Sequence, residues 1–206
     1  ESKRFTSMAE PHLSAMHYSV KPLNYSGTIT IRTGINGNII NDGVERYKSL
    51  NQQHLKPVTE DAQANRQSVL VETTQSGIRI AEVADHYFVF HGKHALNTLR
   101  NETTAASVYG TTSFDVAKEE VISVVKKVAI FTSKPDDSNE PLAKAYALLD
   151  ATADDFENLL SESSKAWHKI WQNIDMKVTG DRFSQKMLRL HLYHLMVSMS
   201  PHNSGI

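Results

Sequence analysis

His191 and His194 stand three residues apart in a predicted helix, a spacing that brings two imidazoles within reach of one metal ion. No Glu follows His191 as a zinc-protease motif requires, and no third ligand suggests itself, so both read as core or hydrogen-bonded histidines. His86, His91 and His94 lie on or just after a predicted strand without a carboxylate pattern beside them, and read as surface or structural. Trp167 and Trp171 fall one helical turn apart, as in an aromatic platform for a pyranose face. Their membership of an apolar stripe from Phe156 to Ile174 makes them packing residues instead.

The acidic pairs Glu119-Glu120, Asp136-Asp137 and Asp154-Asp155 are sequence neighbours, and neighbouring side chains diverge on a strand or a helix. Carboxylates that flank a glycosidic bond must instead face each other across roughly 5–10 Å. Gly27, Gly34 and Gly37 fit no phosphate-cradling motif. Asn24-Tyr25-Ser26 and Asn101-Glu102-Thr103 match the glycosylation sequon, read here as chance in a chain with no signal peptide. The loop from Asn41 to His54 is denser in hydrogen-bonding groups than a connector needs, as a loop reaching a ligand or a neighbouring domain would be. The simpler reading is a surface loop ordered by its own polar side chains. No residue of the chain receives a catalytic, cofactor-binding or metal-ligating role, and no cofactor is expected.

These residues sit in a chain of 206, enough for one medium domain and part of another. Twenty-two basic residues balance 23 acidic ones for a net charge of −1, which leaves no field to gather a nucleic acid. No apolar run approaches the ~20 residues of a bilayer span, and no basic-then-apolar leader opens the chain, so no membrane partner is expected. The absence of cysteine excludes disulfides and thiolate chemistry and agrees with a reducing cytoplasm, the expected compartment. The chain begins at Glu1 rather than methionine and stops on Ser-Gly-Ile, so it is expected to be a piece of something longer.

Up to about Thr132 the hydropathy has the period of strands. Thr28 to Arg32 alternates, reaches Asn36-Gly37 and resumes at Ile39-Ile40, which predicts a hairpin with a type I′ turn. Further strands are predicted over Ser68 to Thr74, Ile78 to Phe90, Thr112 to Ala117 and Val121 to Phe131, the last placing Ile122, Val124, Val128 and Ile130 on one face. His94 to Ala106 is ambiguous between loop and short helix. Many strands at hairpin spacing predict an antiparallel β-sandwich. From Ser133 to Pro141 a polar, proline-punctuated linker follows, and then the period changes to that of helices over Leu142 to Asp150, Asp154 to Ile174 and Phe183 to Met199. Gly180-Asp181 offers the last helix its N-cap. That helix carries apolar residues nearly all round, so it expects burial on every side, by neighbours beyond Ile206.

Several blocks together resemble the N-terminal domain of glycoside hydrolase family 65: RFTSM from Arg4, PHLSAMHYSVKPLNYSGTITI from Pro11 and GINGNIINDGVERYKSLNQQHL from Gly34. KKVAIFTSK from Lys126, AWHKIWQNIDMKVTGD from Ala166 and QKMLRLHLYHLMVSMSPHNSGI from Gln185 agree with it. The resemblance spans nearly the whole chain and is loose from Thr59 to Arg66 and from His94 to Ser107.

It implies an overall mainly β plus α fold, a supersandwich followed by linker helices and the start of an (α/α)6 barrel. Residues 1–133 would be the C-terminal portion of the sandwich domain, 134–180 a linker with helices, and 181–206 the first barrel helix. The family includes phosphorylases of α-linked glucose disaccharides such as kojibiose, trehalose, maltose and nigerose, and hydrolytic trehalases. The implied partners are thus a disaccharide, with kojibiose preferred, and inorganic phosphate; a homodimer is also implied. The family's catalytic glutamate and phosphate site match nothing in this chain, so the resemblance implies an inactive fragment. His202-Asn203-Ser204-Gly205 would shape the entrance to the barrel's sugar-binding loop. The competing readings are a stand-alone carbohydrate-binding or interaction β-sandwich, and a fragment of a trehalase-type hydrolase.

Overall fold

A computed structural model describes residues 1–43, 45, 52–134, 139–153 and 155–199. Ten strands precede three helices: β1 Ser2–Thr6, β2 Leu13–Val20, β3 Gly27–Asn36, β4 Leu55–Gln63, β5 Arg66–Thr73, β6 Arg79–Phe90, β7 Lys93–Ala95, β8 Arg100–Thr104, β9 Ser107–Val116 and β10 Ile122–Thr132. The helices are α1 Pro141–Ala151, α2 Phe156–Ile174 and α3 Arg182–Ser198. A seven-stranded antiparallel sheet runs β1-β2-β10-β6-β5-β4, with β7 also on β6, and a three-stranded sheet runs β3-β9-β8. The two sheets face each other, and α1 and the start of α2 cover the other face of the large one.

Alternation along β6 and β10 explains this layering. Phe88, Ile122 and Val124 point to the small sheet and pack on Phe114 and Val116 of β9. One residue out of phase, Val83 and Ala129 meet Ala145 and Leu149 of α1, while Val125 meets Phe156 of α2. A strand buried on both faces reads as a near-continuous apolar run. Full burial of a side chain such as Phe88 contributes roughly 2–3 kcal/mol.

The predicted strands and helices all occur at close to the expected positions. The hairpin at Asn36-Gly37 does not. β3 pairs with β9, 71 residues downstream at Asn36↔Ser107, and the Gly37 amide donates to the Ala106 carbonyl at 2.7 Å. Glycine is needed there for proximity: a Cβ would stand 2.7 Å from Val71 Cγ1 and 2.8 Å from Ala106 O. The two positive φ angles of a type I′ turn occur at His91 (51°) and Gly92 (70°), between β6 and β7. The ambiguous stretch from His94 to Ala106 holds β7 and β8, with no helix. The loop from Asn41 to His54 is closed at its base by the Ile40↔Gln53 bridge; Val44 and residues 46–51 lie outside the described residues. Asp136-Asp137, Asp154 and the segment from His202 to Gly205 lie outside them as well.

Candidate functional site

Asp155 caps α2 by accepting the amides of Glu157 and Asn158 at 3.0 and 3.3 Å. The first turns then lie on the sandwich. Phe156 is buried edge-on to Phe5 with ring centroids 5.4 Å apart, and Ser163 Oγ accepts the Met8 amide at 3.1 Å. Past Ser163 no residue of α2 is buried. Asp181 caps α3 through the amides of Phe183 and Ser184, both at 3.0 Å.

The two helices meet through aromatic rings and one ion pair. Trp167 lies 6.3 Å from Trp171 and 5.3 Å from Tyr193, and Arg189 Nε donates to Asp175 Oδ1 at 2.8 Å. The guanidinium holds the Asp175 carboxyl below its ordinary range. The tryptophans are therefore joints between α2 and α3. The remaining sides of α3 are bare: it has no buried residue, with Phe183 70 % and Leu195 61 % exposed. The predicted all-round apolar helix is present without the burial that its composition calls for. His191 and His194 line a shallow concavity with Leu195, Val197 and Ser198. Among the described residues, no three His, Cys, Asp or Glu side chains converge as a metal would need.

A polar cluster that no sequence motif marks lies between the sheets. His86 is buried, its Nδ1 3.0 Å from Asn65 O and its Nε2 3.0 Å from Thr33 Oγ1. Its cross-strand neighbour Lys126 donates to Gly34 O at 2.6 Å. Burial, with help from the Lys126 charge, lowers the His86 pKa to about 4. Burial also lowers the Lys126 pKa and raises that of Glu82, while each opposes the shift of the other. The available signal was a Lys at an inward position of an aliphatic strand, with Glu82 and His86 four residues apart on the next. On the opposite face Lys127 is 1 % exposed and donates to Thr152 O at 3.0 Å, tying the end of α1 to β10.

Of the other candidate residues, His91 and Glu120 approach each other, Nδ1 to Oε1 at 3.7 Å. His94 stacks on Tyr87 at 4.9 Å, and His91 occupies the β6–β7 turn. Glu120 accepts the Ala117 amide at 2.7 Å in the β9–β10 turn, away from Asp155 at the start of α2. Asn101 is held by Gln67 and Ala64.

The chain is thus a two-layer sandwich followed by helices. The family model for "Glycosyl hydrolase family 65, N-terminal domain" matches residues 1–170. The chain belongs to glycosyl hydrolase family 65. Among curated members, it is 28 % identical to a kojibiose phosphorylase of Halothermothrix orenii over 99 % of this chain and 26 % of that protein. It is 26 % identical to an α,α-trehalose phosphorylase of Thermoanaerobacter brockii, over 96 % of this chain and 26 % of that protein. The family 65 chain thus spans about a quarter of the length of these relatives. A solved structure described as a putative kojibiose phosphorylase from human microbiome superposes with a TM-score of 0.75 at 14 % identity, over 94 % of this chain and 24 % of that one. That likeness supports the fold. No described helix is long and apolar enough to cross a membrane.

Proposed function

We propose that this chain is the non-catalytic, sandwich-bearing segment of a cytoplasmic family 65 phosphorylase of α-linked glucose disaccharides, with kojibiose the preferred substrate. The observation that carries the reading is α3, a 17-residue capped helix with no buried residue and large apolar side chains on its open sides. Such a helix fits the first helix of a further helical layer, the (α/α)6 barrel, which would hold the reaction centre. Residues 1–133 then form the end of the sandwich domain, 134–180 the linker and 181–206 the entry to the barrel. The kojibiose and trehalose phosphorylases among the relatives support the substrate class.

In the whole enzyme, a phosphate oxygen would attack the anomeric carbon from the face opposite the leaving sugar, with inversion. The glycosidic C–O bond breaks as a glutamic acid hands its proton to the departing oxygen. Neither reactant group is supplied by this segment. The test incubates the chain with phosphate and, in turn, kojibiose, trehalose, maltose and nigerose, and follows glucose 1-phosphate release alongside calorimetric titration of each sugar. The expected result is no glucose 1-phosphate and no binding at micromolar sugar. Product formation would overturn the non-catalytic assignment, and micromolar binding would favour a stand-alone sugar-binding module.

A further inference from the structure

Asn36-Gly37 is the one Asn-Gly in the sequence, and it makes no hairpin: it ends the pairing of β3 with β9. An asparagine followed by glycine is chemically labile, because with no Cβ in the way the glycine amide nitrogen can reach the asparagine Cγ. The attack closes a five-membered succinimide and expels ammonia, and water then opens the ring at either carbonyl. One opening gives aspartate. The other gives isoaspartate, whose main chain runs through the side chain and is one carbon longer.

Asn36 is exposed, so water reaches it, and whatever restrains the reaction is hydrogen bonding rather than burial. The attacking group is engaged, with the Gly37 amide donating to Ala106 O at 2.7 Å. The carboxamide is engaged as well: Asn36 Oδ1 accepts from Ser107 Oγ at 2.9 Å and from the Asn38 amide at 3.0 Å. Asn38 Nδ2 donates in turn to Ala105 O. Gly37 packs so closely on Val71 and Ala106 that its peptide plane has little room to turn toward Cγ. Ala106 is 1 % exposed and gives its own amide to Glu60 Oε1 of β4. The corner is thus pinned from both sheets, by β3 and β9 on one side and β4 on the other.

We infer that Asn36-Gly37 is a latent modification site, sealed in the folded chain and converted irreversibly to aspartyl and isoaspartyl forms when the end of β3 parts from β9. Opening frees the Gly37 amide and the carboxamide together, so one local event releases both reactants. The aspartyl product keeps a side-chain oxygen for Ser107 and Asn38, and that chain can close again. The isoaspartyl product cannot, since the added main-chain carbon breaks the Asn36↔Ser107 register. Chains that open at this corner are therefore withdrawn from refolding, a chemical route to irreversible unfolding. The inference rests on the sandwich alone and stands whether or not the phosphorylase reading does.

The test compares the folded 206-residue chain, the same chain in guanidinium chloride, and the synthetic peptide TGINGNII of residues 33–40, all in mildly alkaline buffer. Mass spectrometry of fragments cut in acid, where the reaction stops, counts the asparaginyl, aspartyl and isoaspartyl forms at position 36. The peptide and the unfolded chain should react at similar rates, and the folded chain at least about tenfold more slowly. Glu60→Ala removes the acceptor of the Ala106 amide and touches neither Asn36 nor Gly37, so it should speed the reaction in the folded chain severalfold. Ser107→Ala, which removes a donor to the carboxamide, should do the same. Asn36→Asp should melt within a few degrees of the parent, whereas purified isoaspartyl chain should melt well below it. A folded chain that reacts at the peptide's rate, folded Glu60→Ala and Ser107→Ala chains no faster than the parent, or an isoaspartyl chain that melts with the unmodified one would each overturn the inference.

Discussion

A lysine, a glutamate and a histidine lie on adjoining strands inside the sandwich, where burial disfavours the charged form of each. His86 uses both ring nitrogens on Asn65 O and Thr33 Oγ1, and Lys126 reaches Gly34 O. A histidine held neutral in this way ties stability to acidity. Its pKa is about 4 in the folded chain against an ordinary 6.5, so the unfolded chain binds the extra proton first as pH falls. The contribution is fully present above pH ~6.5 and is lost as pH falls through ~4, up to roughly 3 kcal/mol. Glu82, raised by burial, has the opposite sign, and its stability contribution grows as it protonates. His86→Gln should therefore flatten the fall in urea-unfolding stability between about pH 6.5 and pH 4. An unchanged slope would show that His86 does not hold the proton balance. Sequence spacing shows that Glu82 and His86 share a face; the register that sets His86 beside Lys126 joins strands some forty residues apart and is not local information.

At the scale of elements, local signals succeeded where one element decides its own structure and failed where pairing decides. The helices follow the apolar period, and the aspartate cap of α3 stands at Asp181, where the sequence puts it. Asn-Gly resembles a hairpin turn, but β3 found a remote partner, and Gly37 serves close packing against Val71. β4 was not singled out because Pro57 and a polar run mask it; it tolerates them as an edge strand with a register shift between Pro57 and Thr59. The polar β8 is the other edge of the small sheet. On α3 the open apolar surface leads to a prediction: the chain should bind a hydrophobic dye, and Phe183→Ser with Leu195→Ser should reduce the signal severalfold. Neither side chain is buried, so the melting temperature should stay within a few degrees. A large loss of stability would mean that α3 is packed in solution as it is not here.

For the whole molecule, the chain divides into a packed part and a presented part. The sandwich, α1 and the first turns of α2 pack together through buried clusters on both faces of the large sheet, anchored by Lys127 on Thr152 and by Arg66 between Asp85 and Asp150. Beyond Ser163 the Trp167 and Tyr193 rings and the Asp175–Arg189 pair hold α3 to α2, and Gln185 ties α3 to the connection before it. Family membership was legible in sequence blocks spread over both parts; the exposure of α3 was not, because apolar composition states what a helix needs and not what it touches. Free energy should be distributed in the same way. Trypsin has a site at Lys177 in the exposed α2–α3 connection and another at Arg182, the first residue of α3, and cleavage there should release α3. The remaining chain should keep its cooperative transition within a few degrees, since α3 buries no residue of its own. Loss of that transition would show that α3 belongs to the sandwich's own core. A retained transition with loss of dye binding would assign the open apolar surface to α3 and leave the sandwich as an independent unit to which further layers attach.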